Sequence, residues 1–236
     1  MSVDFDFEGD VVLVTGVGGA LGGAVARAFD DAGATVCGAD VVTPDSEDFL
    51  LEETSRIEFY QGDFTDEDEV ADVVESIVDD HGRLDALCNI AGTWRGGDPI
   101  HETDAGTFDF LFDVNLKTMF LASKHALPHL QETEGAIVSI SSRSSLEGGA
   151  GDGIYRATKA GVRLLTETIA AENQGTVRAN AVMPSVIDTP MNREMMPDAD
   201  FEKWVDPRDI AAMLLVLCSD AATVTSGAAI PVYGEA

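Results

Sequence analysis

Asp10-Val-Val-Leu-Val-Thr15-Gly16-Val-Gly18-Gly19-Ala20-Leu21-Gly22 decides the fold. A β-rich run leads straight into a glycine loop, and Gly-Ala-Val-Ala-Arg-Ala-Phe29 follows at helical spacing. Strand, glycine loop and helix start stand in the order that a dinucleotide site needs. Glycines let the backbone approach a pyrophosphate, and a helix N-terminus supplies N–H groups and positive potential. The next apolar run, Ala34-Thr-Val-Cys-Gly-Ala-Asp40, ends in a carboxylate 18 residues after Gly22. An acid so placed accepts hydrogen bonds from the adenosine ribose hydroxyls. It would also repel a 2′-phosphate, and neither Gly18 nor Gly19 offers a cation to bind one. The expected cofactor is therefore NAD rather than NADP. The competing reading of Asp40 is a simple loop cap in an Asp-rich chain.

Strand-like runs are expected at 10–15, 34–40, 56–60, 84–89, 135–142, 176–183 and 228–233. Helical patterns are expected at 20–32, 66–80, 102–130, 152–173 and 207–219. This alternation over 236 residues predicts one α/β domain. Its parallel sheet is doubly wound and Rossmann-like, with about seven strands covered by helices on both faces. No repeat, linker or low-complexity tract divides the chain.

The second informative stretch is Ser142…Tyr155-Arg-Ala-Thr-Lys159. Tyr155 and Lys159 are four apart and share a helix face. A nearby ammonium is expected to favour phenolate and pull the phenol below its usual value of about 10. Ser142 closes the apolar run Gly135-Ala-Ile-Val-Ser-Ile-Ser-Ser142, which reads as a buried strand. A phenol that exchanges a proton near neutrality, beside a hydroxyl donor, suits interconversion of a carbonyl and an alcohol. Taken alone, Tyr-x-x-x-Lys is also what a half-buried Tyr next to a solvated Lys looks like.

Asp and Glu number 43 against 14 Lys and Arg, for a formal net charge of −29. The acids are spread along the chain, as in Asp66-Glu-Asp-Glu69. Self-repulsion of that size destabilises a compact state in dilute buffer, and concentrated salt screens it. The expectation is a cytoplasmic protein of a salt-loving organism, with no nucleic-acid or membrane partner. No signal peptide or long apolar run is read in the sequence. Cys37, Cys88 and Cys218 are scattered in apolar contexts, as reduced buried thiols are. His125 and His129 stand four apart around Pro128 without a third ligand, so no metal is expected.

Together these features resemble the short-chain dehydrogenase/reductase family over essentially the whole chain. Thr15-Gly16-x-x-x-Ala20-x-Gly22 is similar to the family's cofactor loop, with Ala20 where Gly is usual. Gly62-Asp63 matches the place where an Asp meets the adenine, with Phe64 beside it. Asn89-Ile-Ala91-Gly92 resembles the Asn-Asn-Ala-Gly strand end. Asn115 in Asp-Val-Asn matches the catalytic Asn, and Ser142 precedes Tyr155 by 13 residues, as the family's serine does. Asn180-Ala-Val-Met-Pro184-Ser185 resembles the Pro-Gly turn beside the nicotinamide, with Val186, Ile187 and Thr189 following it.

The resemblance implies hydride transfer between NAD(H) and a carbonyl or secondary alcohol, such as a 3-oxoacyl thioester or a sugar. Tyr155 would be the acid/base. Lys159 would lower its pKa and hold the nicotinamide ribose, Ser142 would polarise the substrate oxygen, and Asn115 would support a proton relay through water. It also implies a homodimer or homotetramer built through the helices expected at 102–130 and 152–173.

A narrower likeness lies in Ala91-Gly-Thr-Trp94-Arg95-Gly-Gly97 and in Asp188-Thr-Pro-Met191-Asn-Arg193-Glu-Met195-Met-Pro-Asp-Ala-Asp-Phe-x-x-Trp204. Both are similar to loop and lid of dihydropteridine reductases, a branch that lacks the Ser and Asn kept here. The segment at about 186–205 is expected to close over the site, with Trp94, Met191, Met195 and Trp204 lining an apolar pocket. Trp204 reads equally as an anchor for the lid. Arg95 and Arg193 would meet a substrate anion or pair with local carboxylates. A third reading, of another class, is a non-enzymatic protein that senses NADH.

Overall fold

A computed structural model describes residues 5–51 and 56–235. Seven parallel strands form one sheet: β1 (Val11–Thr15), β2 (Thr35–Asp40), β3 (Ile57–Gln61), β4 (Ala86–Asn89), β5 (Ala136–Ile140), β6 (Arg178–Pro184) and β7 (Ala229–Val232). Their order is β3-β2-β1-β4-β5-β6-β7. The winding reverses between β1 and β4, and in an open parallel sheet the crevice at such a switch point is where ligands bind. Helix α1 (Ala20–Asp31) follows β1, α2 (Glu67–His81) follows β3, and α3 (Ala105–Phe112) follows β4. Helices α4 (Thr118–Thr133), α5 (Gly153–Glu172), α6 (Pro190–Met195) and α7 (Pro207–Cys218) complete the set.

The near-continuous apolar runs of the strands become a sheet buried on both faces. On one face Leu21, Val25 and Phe29 of α1 meet Ile210 and Leu214 of α7 over Val12, Val14 and Val138. On the other, Val70 and Ile77 of α2 and Leu121 and Leu130 of α4 pack on Leu13, Leu87 and Ile137. Helix α2 shows how local sequence sets its ends. The Asp66 carboxylate accepts from the N–H groups of Asp68 and Glu69, three acids fill the first turn, and Gly82 ends the helix at φ +76°. Each feature is the one that helix-end chemistry favours at that position.

Two departures from the expected elements matter for the site. The pattern read as one helix over 102–130 is α3 and α4 joined by a π turn at Asp113–Lys117. It starts only after Asp104, whose carboxylate caps Gly106 N–H. Within the segment read as a lid, Thr189 caps the short helix α6 through Asn192 N–H, with Pro190 at its first position. No helix among the described residues is long and apolar enough to cross a membrane.

Candidate active site

The C-terminal ends of β1, β4, β5 and β6 bring the sequence-selected residues to one crevice. Thr15, at the end of β1, ties the switch point together: its hydroxyl oxygen accepts from Ile90 N–H at 3.0 Å and Ala91 N–H at 3.2 Å. Gly16 follows at φ +69°, and a Cβ there would lie 2.9 Å from the Ala91 backbone. A Cβ on Gly22 would lie 2.0 Å from the Gly16 carbonyl oxygen. Both positions therefore require glycine, and the loop turns tightly enough to start α1 at Ala20. No side chain caps α1 at Gly19, so its first-turn N–H groups are left for an anion. This loop fits the pyrophosphate of a dinucleotide.

Asp40 closes the other side of the loop. Its carboxylate accepts from Gly18 N–H at 2.9 Å and Val42 N–H at 3.0 Å. The acid thus touches the glycine loop itself, in the position expected for a ribose contact, while also serving as the local cap that the competing reading allowed. Three other expected cofactor residues have local partners of their own. Asp63 Oδ1 accepts from the N–H and hydroxyl of Thr65, and the Phe64 ring is buried in the core. The Asn89 carboxamide points beneath the sheet end, donating to Ser123 and Ser139 at 3.2 Å. The Phe64 side chain is spent on the core, whereas Asn89 Oδ1 is buried and has no hydrogen-bond partner among the described residues.

Ser142 lies two residues beyond β5, not within it, and caps the 3-10 turn Arg143–Leu146. Its hydroxyl hydrogen-bonds the Tyr155 phenol, which stands in the first turn of α5. The expected shift of the phenol is corrected in direction. Burial pushes it above its ordinary value, the Ser142 hydrogen bond works downward, Asp152 pushes up and Arg156 pulls down. Lys159 does not govern the balance, because its ammonium donates to the Ile140 carbonyl at 2.9 Å and sits 6.0 Å from the Tyr155 ring centre. Lys159 is 5% exposed, and burial lowers it from 10.5 to about 8.

Asn115 sits in the π turn and is fully buried. Its Oδ1 accepts from Thr93 N–H at 2.7 Å and its Nδ2 donates to the Thr158 hydroxyl at 3.3 Å. Thr158 in turn donates to the Tyr155 carbonyl at 2.7 Å. The carboxamide thus braces the Trp94 loop against the helix that carries Tyr155. A π turn in a helix recurs at functional sites because it re-aims one side chain. Gly92 fits between these parts, since a Cβ on it would lie 2.9 Å from Asn115 Oδ1 and 3.1 Å from Lys159 Nζ.

On the far wall, Ser185 N–H donates to the Val232 carbonyl and the Ser185 hydroxyl to the Tyr233 carbonyl. The Arg143 guanidinium lies over the Tyr233 ring at 5.5 Å. Val186 and Ile187 pair with the strand-like stretch at Val205, which closes the segment holding α6 into a loop. The expected apolar pocket is not enclosed. Trp94 is 39% exposed, Met191 47% and Met195 41%, while Trp204 packs on Phe201 of its own segment at 4.7 Å. Trp204 therefore packs within its own segment. Arg193 is taken by Asp188 in a two-pronged pair, whereas Arg95 lies on the Phe110 ring at 4.0 Å.

Thr93 and Thr158 were not singled out from the sequence, and Thr15 entered only as the first residue of the cofactor-loop motif. Their roles come from hydroxyls and backbone groups that meet only across strands and helices, and only the Thr preceding Gly16 carries a local signal.

Comparison with known proteins agrees with this geometry. Residues 16–234 match the family model described as enoyl-(acyl carrier protein) reductase. The chain is 33% identical over 242 residues to the 3-oxoacyl-[acyl-carrier-protein] reductase FabG of Thermotoga maritima, covering 96% of this chain and 97% of that one. It is 33% identical to the meso-2,3-butanediol dehydrogenase of Serratia marcescens, covering 98% and 95%. Among solved structures, a short-chain type dehydrogenase/reductase from Mycobacterium ulcerans superposes with a TM-score of 0.89 at 28% identity, covering 98% of this chain and 90% of that one. With the switch-point crevice, the glycine loop and the Ser142–Tyr155 pair in one place, the chain belongs to the short-chain dehydrogenase/reductase family of Rossmann-fold oxidoreductases.

Proposed function

We propose that this chain is an NADH-dependent reductase of a carbonyl, or in reverse a dehydrogenase of a secondary alcohol, with Tyr155 as the acid/base. The observation that carries this is the Tyr155 phenol, hydrogen-bonded to Ser142 in the crevice that the glycine loop opens. A bound nicotinamide would supply the hydride. Tyr155 then gives its proton to the substrate oxygen, and its raised pKa keeps that proton in place at neutral pH. Ser142 polarises the same oxygen. Lys159 and Asn115 border Gly92, where a cofactor ribose would meet the buried ammonium. Gly16, Gly18, Gly19, Ala20, Leu21 and Gly22 serve the pyrophosphate, and Pro184, Ser185, Val186, Ile187 and Thr189 flank the nicotinamide end.

Asp40 supports NAD over NADP, because its carboxylate lies against Gly18 and would repel a 2′-phosphate. The names of the FabG and butanediol dehydrogenase relatives support a 3-oxoacyl carbonyl or a secondary alcohol as substrate. Phe108, Phe120 and Leu164 are 44%, 48% and 52% exposed on α3, α4 and α5, which supports self-association through these helices. The scattered free thiols support a reducing cytoplasm, and the charge of −29 supports a salty one.

The test is binding and oxidation of NADH and NADPH in molar salt with 3-oxoacyl, diketone and sugar carbonyls and a quinonoid dihydropterin. NADH-driven carbonyl reduction is expected. Selective dihydropterin turnover, a preference for NADPH, or NADH binding with no turnover would each overturn part of the proposal.

A further inference from the structure

Arg156, next to Tyr155, donates no proton in the chemistry above and is the last of the influences on the phenol, yet its side chain is committed in three directions. Nε donates to the Asp152 carboxylate at 2.6 Å and Nη1 to the Glu147 carbonyl at 3.1 Å. The guanidinium also lies flat against Gly149, where a Cβ would come within 2.2 Å of it. Segment 147–152 runs from the turn that Ser142 caps to the first turn of α5, which holds Tyr155, so it bridges the two hydroxyls. Gly148, Gly149 and Gly151 give it little stiffness of its own. Its far side is fastened to the Trp94 loop, because Gly151, at φ +85°, accepts from Gly97 N–H at 2.7 Å.

Asp152 shows that this arrangement is built rather than incidental. It is the N-cap residue of α5, where an Asp carboxylate ordinarily accepts from the helix's first N–H groups. Here it makes no such bond, and the carboxylate goes to Arg156 instead. The pair is mostly buried, with side-chain exposures of 22% and 17%, unlike an exposed ion pair of little consequence. A planar fork that satisfies a carboxylate and a carbonyl at once is a task for Arg that Lys cannot copy.

We propose that Arg156 is a positioning residue that fixes segment 147–152 as one wall of the substrate cleft. Substrate fit at that wall then depends on a guanidinium outside the proton-transfer set. The inference rests on the reading of the Tyr155 crevice as a carbonyl site.

The experiment compares the full-length protein with Arg156→Gln, Arg156→Lys, Gly149→Ala and Arg156→Gln/Gly149→Ala. Loss of a charge-assisted fork predicts a KM for the best carbonyl raised about tenfold in Arg156→Gln. Its kcat should stay within about threefold and its NADH Kd should match the parent's, a split that mere loss of folding would not give. Arg156→Lys should not restore KM. Gly149→Ala should raise KM in the parent and add nothing once Arg156 is gone. Faster amide exchange confined to 147–152 in Arg156→Gln reads the same effect without turnover. An unchanged KM with unchanged exchange, or strictly additive effects in the double variant, would overturn the proposal. A parent that reduces no carbonyl would overturn the functional reading instead, and the exchange measurement would still decide the role of Arg156.

Discussion

Replacing Lys159 by Met should make the fold more stable at pH 7 while destroying its use. The lysine is 5% exposed, and burial moves it from 10.5 to about 8. At pH 7 the parent carries a buried ammonium. In the unfolded chain that proton stays on until near 10.5, whereas the folded chain releases it near 8. Between those values the unfolded state binds more protons, so parental stability rises with pH. The penalty removed by Lys159→Met is about 3 kcal/mol at pH 7 and less than about 1 kcal/mol at pH 10. The lost hydrogen bond to the Ile140 carbonyl subtracts about 1 kcal/mol at both values and cancels in the comparison. Denaturant unfolding of parent and variant, both in molar salt, measures the difference directly. The variant's advantage should shrink by about 2.5 kcal/mol from pH 7 to pH 10. A difference that stays flat over that range would refute the buried-ammonium account. Affinity for NADH and turnover should fall in the same variant, since a site can hold a costly charge that the fold alone would discard.

Gly22→Ala puts a Cβ 2.0 Å from the Gly16 carbonyl, so NADH affinity by fluorescence titration should drop more than tenfold, with a stability loss of about 1–3 kcal/mol; normal affinity would contradict the tight-loop geometry. Asp40→Ala should weaken NADH binding by leaving Gly18 and Val42 N–H groups without their acceptor, and adding Val41→Arg should move the NADPH/NADH ratio of kcat/KM upward by at least about tenfold. An unchanged ratio would remove Asp40 from cofactor choice. Dialysis from molar to millimolar salt should lose far-ultraviolet circular dichroism or assembly, because at 1 M the Debye length is only about 3 Å and the net charge is −29; full stability in dilute buffer would contradict the salt-dependent reading.

The sheet was legible because its strands announce themselves. Val11 to Val14 is an unbroken apolar run, and Gly16, Gly22 and Asp40 sit where the turn, the helix start and the second strand require them. Helix ends were legible where the chemistry is local, as at Asp66 and Gly82. The π turn at Asp113–Lys117 was not, because a one-residue excess changes no hydrophobic pattern. Helix α6 was missed although Thr189-Pro190 is a cap followed by a favoured first residue. At the site, Ser142, Tyr155, Lys159 and Asn115 do converge. The direction of the Tyr155 shift was not legible, because spacing puts Lys159 on the right face but says nothing of burial or of the Ile140 carbonyl that accepts the ammonium's hydrogen bond. Phe64 and Asn89 were placed at the cofactor by motif position, and only the packing shows their side chains buried. Arg156 stood in plain view within the Tyr-x-x-x-Lys stretch, and its partners at 147, 149 and 152 lie in a glycine-rich loop that no periodicity describes.

The most direct measurement of the central claim is hydride transfer from NADH to the best carbonyl by the parent and by Tyr155→Phe, with NADH affinity measured on both. Removal of one hydroxyl should cut kcat by orders of magnitude, as loss of a general acid does, while the NADH Kd stays within about twofold. Tyr155→Phe turning over at the parental rate would contradict the account.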